Sequence, residues 1–216
     1  INYKVKEYLG SGRSSHIFAL DNNWAIRIPR KYYRMGSINS TVFGHKALQH
    51  FEVPSVNVEI NEYVKNEFVV VQRVNIEKRM VRDIKIELTL ENYLQNYRQL
   101  KDPILNKQLI EFSSSAAHFK QFGDFYNTSQ LVWNGKKWIL LDWDQSHSIL
   151  GNSFADKEHP FLGEIRKQIP RKLYYELRDN IYKVRSHDSF QRKHKKLRKS
   201  FQPKMPKDVL DCADIL

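Results

Sequence analysis

The chain has 216 residues, 41% of them hydrophobic, and a formal net charge of +12 at pH 7. This composition favours a packed domain or two small lobes over a disordered chain. Its one cysteine, Cys212, excludes an internal disulfide framework and a cysteine-based zinc site. No apolar run is long enough to span a membrane, and no segment has a signal-peptide pattern.

The first 75 residues predict a β-rich unit with one helix. Alternating or continuous apolar residues predict strands over 3–9, 16–20, 24–28, 56–64 and 67–74, and a short helix over 40–51. The composition then changes, and helical spacing of apolar residues appears at 86–100, 104–119 and 161–185. Between the last two helical regions, Asn134–Gly135 separates two apolar runs and predicts a hairpin.

The positive charge is concentrated towards the C-terminus. Residues 166–207 contain 15 Lys and Arg against three Asp and Glu, and the rest of the chain is balanced. A basic segment such as Arg192–Lys199 attracts anionic surfaces, including lipid headgroups, and is equally typical of a solvated helix face. We therefore divide the chain into a β-rich part (1–75), a helical part (76–190) and a basic tail (191–216).

A glycine-containing loop lies between the first two predicted strands. It consists of Gly10, Ser11, Gly12, Arg13, Ser14 and Ser15. In such a strand–loop–strand arrangement the backbone amides can cover the phosphates of ATP without obstruction by side chains. A glycine pair of this kind is also common in ordinary turns.

Arg27 lies on the third predicted strand, where a kinase places the lysine that contacts the α and β phosphates. A guanidinium can bind phosphate through two hydrogen bonds, so a role in nucleotide binding is chemically sensible. The alternative is a surface cation on an edge strand. The following helix, residues 40–51, contains no Asp or Glu that could pair with it.

Two carboxylates flank the predicted hairpin. Asp124 follows a helical segment, and Asp142 ends a buried apolar strand. A kinase-type site uses a loop carboxylate to accept the proton of the attacking hydroxyl and a second carboxylate to bind Mg²⁺. Ser129 and Asp144 are candidate additional metal ligands. Asp124 is alternatively a helix cap or turn residue, and most such acid pairs lie on a solvated surface.

The order of these features resembles the protein-kinase-like superfamily over residues 3–145. Ala25–Ile26–Arg27, the stretch 32–36 and the stretch 137–144 are most similar to bacterial lipopolysaccharide-core kinases of the Kdo type. The resemblance implies an α+β, two-lobed fold with a five-stranded antiparallel N-lobe and a reduced, mostly helical C-lobe. It also implies that ATP and Mg²⁺ are bound, with phosphate transferred to an alcohol.

Phe122, Ser129 and Ser15 replace the His, Asn and Gly of the family pattern. The expected acceptor is a lipopolysaccharide-core sugar. The alternatives are a minimal Ser/Thr protein kinase of the bacterial effector type and a catalytically inactive pseudokinase that acts as a binding module. We expect a cytoplasmic location, peripheral to the inner membrane through the basic tail, or secretion in the effector case. Nucleic acid is not the expected partner.

Overall fold

The computed structural model describes residues 4–12, 15–30, 44–59, 68–119, 130–143 and 160–201. The strands are β1 (Val5–Ser11), β2 (Ser15–Leu20), β3 (Trp24–Pro29), β4 (Val58–Glu59), β5 (Val69–Gln72), β6 (Lys78–Val81), β7 (Ile84–Glu87), β8 (Leu131–Trp133) and β9 (Trp138–Leu140). The helices are α1 (44–50), α2 (Leu90–Gln95), α3 (Tyr97–Leu100), α4 (Pro103–Ala116), α5 (Pro160–Ile165), α6 (Arg171–Ser186) and α7 (Ser189–Phe201).

Strands β1 to β5 form one antiparallel sheet with the order β1-β2-β3-β5-β4. The chain leaves β3, passes through α1 to the outer strand β4, and returns in β5 between them. Because β5 is an inner strand, Val69 and Val70 are buried. The predicted α+β class and the five-stranded antiparallel sheet are confirmed, although β4 is described only over two residues.

A second hairpin, β6–β7, was not predicted. Its turn residues Arg82 and Asp83 have positive φ angles of 47° and 68°, which suit a tight hairpin turn but are adopted more readily by Asn-Gly. The prediction of helix from residue 86 was therefore wrong at its start. Helix α2 begins at Leu90, where the hydroxyl of Thr89 accepts a hydrogen bond from the backbone N–H of Asn92 (3.0 Å) and caps the helix.

The hairpin β8–β9 leads directly to Asp142 and is held against α4. Its turn has the predicted Asn134–Gly135 sequence, and Gly135 has a φ of 91°, a conformation that favours glycine. The buried indole of Trp138 donates to the carbonyl oxygen of Leu105 in α4 (3.1 Å). This bond and the backbone bond from Leu140 to Pro54 (2.9 Å) fix the end of β9 relative to the helices and the sheet.

Helix α6 packs against α4, and both α5 and α7 contact α6. The region predicted as one helix, 161–185, forms two helices, α5 and α6. Pro170 lies between them and cannot continue a helix, because it has no backbone N–H to donate. On α6, Leu173, Leu177 and Ile181 are buried, and Asn180 Nδ2 donates to the carbonyl oxygen of Ile110 in α4 (2.8 Å). None of the helices in the described ranges is both long and apolar enough to cross a membrane.

Helix α7 docks through an aromatic cluster. The His118 ring, which follows α4, stacks between Phe51 (centroids 4.4 Å apart) and Phe190 (5.1 Å). His194 of α7 packs against the same rings. Burial and the neighbouring charges, His194 first among them, lower the pKa of His118 to about 3, so its imidazole is neutral at pH 7.

The neutral state of His118 predicts a pH dependence of stability. The unfolded chain takes up a proton at His118 below its ordinary pKa of 6.5, and the folded chain does so only near 3. The free energy of unfolding therefore decreases as the pH falls from 6.5 towards 3, by about 2 kcal/mol at pH 5 from this group alone. In His118→Phe, urea unfolding at pH 7.5 and 5.0 should show a decrease smaller by that amount.

The half-buried Phe18 on β2 supplies the control, because Phe18→Leu removes no ionisable group and should keep the full decrease of the unsubstituted chain. An identical decrease in His118→Phe and the unsubstituted chain would show that His118 is not held neutral by its surroundings.

Candidate active site

The loop between β1 and β2 is tight. The backbone N–H of Gly12 donates to the carbonyl oxygen of Ser15 (2.9 Å), and Ser11 pairs with His16 across the ladder. Gly10 has a φ of 146°, which favours glycine, and lies at an irregularity in the β1–β2 register. A Cβ added at Gly10 or Gly12 would have no neighbour within 4 Å among the residues that the structure describes. Arg13 and Ser14 lie outside the described residues.

Arg27 and Asp142 form a two-point ion pair. Nη1 of Arg27 donates to Oδ1 of Asp142 (3.0 Å), and Nη2 donates to Oδ2 (3.1 Å). The two residues are 115 positions apart in the chain. Their side chains are 11% and 23% exposed, so the pair is poorly screened by solvent and stronger than an exposed one.

The positions of these two charges follow from the sheet and the hairpin. Arg27 lies on β3 opposite Ile17 of β2 and Val69 of β5, so ladders on both sides fix its backbone. Asp142 follows β9 by two residues, beyond the point where Leu140 is bonded to Pro54. The sequence places both residues at a candidate phosphate and metal site, and the structure brings them into direct contact.

Among the described residues, the hydrogen-bond donors to the Asp142 carboxylate leave one of its lone pairs unused. Oδ1 accepts from Arg27 and from the backbone N–H of Trp143 (2.9 Å), and Oδ2 accepts from Arg27. A carboxylate offers about four lone-pair sites, so one remains on Oδ2. Oxygen ligands of this kind fit Mg²⁺, which is usually held by one or two carboxylates together with phosphate and water.

Trp143 is fixed in a slot on α1, a feature that the sequence analysis missed. Its indole is buried, and the His45 ring stacks on it with centroids 5.8 Å apart and planes at 24°. A Cβ added at Gly44 would lie 2.8 Å from Nε1 of Trp143 and nearer still to Cδ1, so only glycine fits at this point. Burial lowers the pKa of His45. In the sequence, Gly44 within the predicted helix is the signal for this close contact.

Asp124, Ser129 and Asp144 lie outside the described residues. The segment that contains Asp124 and Ser129 starts after Phe119, where Arg185 of α6 donates to the carbonyl oxygens of Ala117 (3.1 Å) and Phe119 (3.3 Å). Burial lowers the pKa of Arg185 to about 10, which still leaves it charged at pH 7. Among the residues that the structure describes, no three His, Cys, Asp or Glu side chains are grouped as metal ligands.

Comparison with known proteins gives similarity at the level of structure. No protein-family model and no curated protein sequence matches the chain. A structure of APH(2")-IIa in a ternary complex with streptomycin and ATP has a TM-score of 0.45 and 10% identity, and the alignment covers 91% of this chain and 81% of that one.

A second similar structure is HipA of Shewanella oneidensis MR-1, from a toxin–antitoxin system, bound to HipB and operator DNA. Its TM-score is 0.40 and its identity 8%, with 98% of this chain and 63% of that chain covered. At these TM-scores the two similarities assign no role to any residue of this chain.

Removing one member of the Arg27–Asp142 pair should lower the stability of the protein, because the other member is mostly buried. Asp142→Ala leaves the Arg27 cation in a site only 11% exposed and should lower the free energy of unfolding by about 2 kcal/mol. In a double-mutant cycle with Arg27→Met, urea unfolding should give a coupling energy of about 1 to 2 kcal/mol.

The exposed pair Lys107–Glu111 provides the comparison (77% and 52% exposed). Glu111→Ala should change the free energy of unfolding by less than about 0.5 kcal/mol. Additive effects of Arg27→Met and Asp142→Ala would contradict the pairing.

Proposed function

We propose that this protein is an ATP- and Mg²⁺-dependent phosphotransferase that uses an alcohol as its acceptor. The observation that supports this most is the Arg27–Asp142 contact: a guanidinium fixed on an inner strand meets a carboxylate with a lone-pair site left for a cation. The same sheet presents the β1–β2 loop. A phosphate group needs donors of both kinds, guanidinium and backbone N–H, together with a cation.

The residues have separate roles in this proposal. Asp124 orients the acceptor hydroxyl and accepts its proton as the oxygen attacks the γ-phosphorus of ATP, and ADP leaves with the bridging oxygen. Arg27 and the backbone of residues 10–15 bind phosphate oxygens. Asp142, assisted by Asp144 and Ser129, would hold Mg²⁺, which neutralises charge on the phosphates.

The proposal includes a division into two parts that enclose the site. Residues 1–75 supply the loop and Arg27, residues 76–190 supply Asp124 and Asp142, and residues 191–216 form the basic tail. Strand contacts connect the first two parts, because Ser55 forms a parallel bridge with Leu140 beside the end of β9. In this proposal ATP binds between the two parts.

The acceptor we favour is a hydroxyl of a lipopolysaccharide-core sugar, on the basis of the sequence resemblance. A minimal Ser/Thr protein kinase is the second candidate. A catalytically inactive binding module is favoured by one observation: Arg27 contacts both oxygens of Asp142, so its guanidinium must release the carboxylate before it can bind phosphate.

Phosphotransfer from labelled ATP tests these alternatives. The purified protein is incubated with Mg²⁺ and ATP, together with deacylated lipopolysaccharide or a protein mixture. Asp124→Ala and Asp142→Asn should each lower the rate at least about 100-fold, because a proton acceptor or a metal ligand is lost. Glu111→Gln, an exposed change on α4, should leave the rate unaltered.

The pattern of labelling identifies the acceptor class. Label on glycan supports the sugar kinase, and label on protein alone supports the protein kinase. If neither is labelled while Mg²⁺ and ATP still raise the melting temperature, the protein is a nucleotide-binding pseudokinase. No thermal shift and no label would contradict the phosphotransferase proposal.

Helix α7 supports a second part of the proposal, a peripheral contact with an anionic membrane on the cytoplasmic side. Its apolar side, formed by Phe190, His194 and Leu197, is buried against the protein. Its exposed cations are Arg192, Lys193, Lys195, Lys196 and Lys199, and α7 contains no acidic residue. With the apolar side already occupied, the helix can attract a bilayer by charge but cannot insert into it.

Vesicle binding tests this contact. Replacing Lys195 and Lys196 by Gln should weaken partitioning onto vesicles with anionic lipid about 30-fold in low salt, since each cation near the surface contributes about 1 kcal/mol. The same number of charges removed elsewhere, in Lys85→Gln with Lys101→Gln, should have a much smaller effect. Equal weakening by the two pairs would show that net charge, and not α7, is responsible.

A further inference from the structure

Helix α1 lies beside the candidate site but supplies no carboxylate to it. Its residues, 44–50, include no Asp or Glu, and the acidic partner of Arg27 is Asp142. The helix instead contacts Trp143, the residue directly after Asp142. The contact by which α1 reaches the neighbourhood of the carboxylate is therefore its packing on Trp143.

The contact between α1 and Trp143 is specific in shape. At Gly44 the indole lies where a Cβ would be, with Nε1 at 2.8 Å, a separation that real Cβ atoms essentially never show. His45, only 3% exposed, covers the ring from a second direction. A glycine in a helix is destabilising relative to alanine, so this position sacrifices helix stability to let the indole approach.

The movement of Trp143 would be transmitted to Asp142. The backbone N–H of Trp143 donates to Oδ1 of Asp142 at 2.9 Å, the same oxygen that accepts from Nη1 of Arg27. Displacing the indole shifts this N–H and thereby reorients the carboxylate. A displacement of about 1 Å at a reacting centre is enough to lower a rate about 100-fold.

We propose that Gly44 and His45 are positioning residues that fix the orientation of the Asp142 carboxylate through Trp143. Gly44 provides the space and His45 the stacking surface. The inference rests on the proposed phosphotransferase function, in which Asp142 is the metal ligand. Helix α1, which has no Asp or Glu in residues 44–50, thus acts on the site by steric contact.

The first test is steady-state kinetics with ATP and the acceptor that the labelling experiment identifies. Gly44→Ala should lower kcat about 100-fold while the KM for ATP changes less than about threefold, because the loop and Arg27 remain in place. Lys46→Ala, an exposed change on the same helix, should match the unsubstituted chain. An unchanged kcat in Gly44→Ala would overturn the inference.

The second test shows whether Gly44 acts through Trp143. In a Trp143→Ala background, Gly44→Ala should cause no further loss of kcat, since the ring that it displaces is absent. The effect on melting temperature should also change sign: Gly44→Ala lowers it in the unsubstituted chain and raises it in Trp143→Ala, where alanine only favours the helix. Additive losses and the same sign in both backgrounds would overturn the proposal.

His45 is tested by its conservative variant. His45→Phe keeps an aromatic ring over the indole and should retain most of kcat, and His45→Ala should lose it. Loss of activity in both variants would show that the imidazole acts by another route and would overturn its assignment as a stacking surface.

A readout independent of activity uses 5-fluorotryptophan, since the chain has four tryptophans. The ¹⁹F resonance that is missing in Trp143→Phe should move in Gly44→Ala and stay in place in Lys46→Ala. An unmoved resonance would overturn the steric role. Absence of phosphotransfer and nucleotide binding by the unsubstituted chain would overturn the phosphotransferase proposal, whereas an active chain indifferent to Gly44→Ala would overturn this inference alone.

Discussion

The pairing of two opposite charges from distant parts of the chain is the constraint on which the candidate site depends. Arg27 is fixed by hydrogen-bond ladders on both sides of β3, and Asp142 follows a hairpin bonded to α4. Neither charge can retreat fully into water, since both side chains are mostly buried. The sheet, the hairpin and the helix beneath it must therefore assemble together for either charge to be compensated.

The same pairing explains how an active site and an inactive one could share this geometry. A bidentate guanidinium–carboxylate contact is strong because it is dry, but it lacks the phosphate that an active site must accommodate. In the proposed function, a nucleotide with its metal would offer each partner a replacement, an anion for Arg27 and a cation for Asp142. Binding would then be an exchange of ion pairs, in which little net charge is left uncompensated at any stage.

Sequence patterns predicted the parts of the fold that depend on neighbouring residues. Alternating apolar residues indicated the five strands, and Asn134–Gly135 indicated the β8–β9 hairpin, because both signals are local. The β6–β7 hairpin was not predicted because its turn residues, Arg82 and Asp83, are not the Asn-Gly pair that signals a hairpin, although both adopt left-handed conformations. The partner of Arg27 was sought in the adjacent helix and lies 115 positions away, and the slot for Trp143 likewise joins distant segments. Contacts between distant segments produce no periodic pattern in the sequence.

The docking of α7 has a consequence for how the chain folds during synthesis. Its His194 ring packs on Phe51, and His50 Nε2 donates to the carbonyl oxygen of Lys193, 143 residues further on (3.3 Å). The end of α1 is thus partly covered by α7, which is close to the end of the described part of the chain. Closing a loop of that size is slow compared with local pairing. The end of α1 therefore reaches its final packing only after α7 has been synthesised.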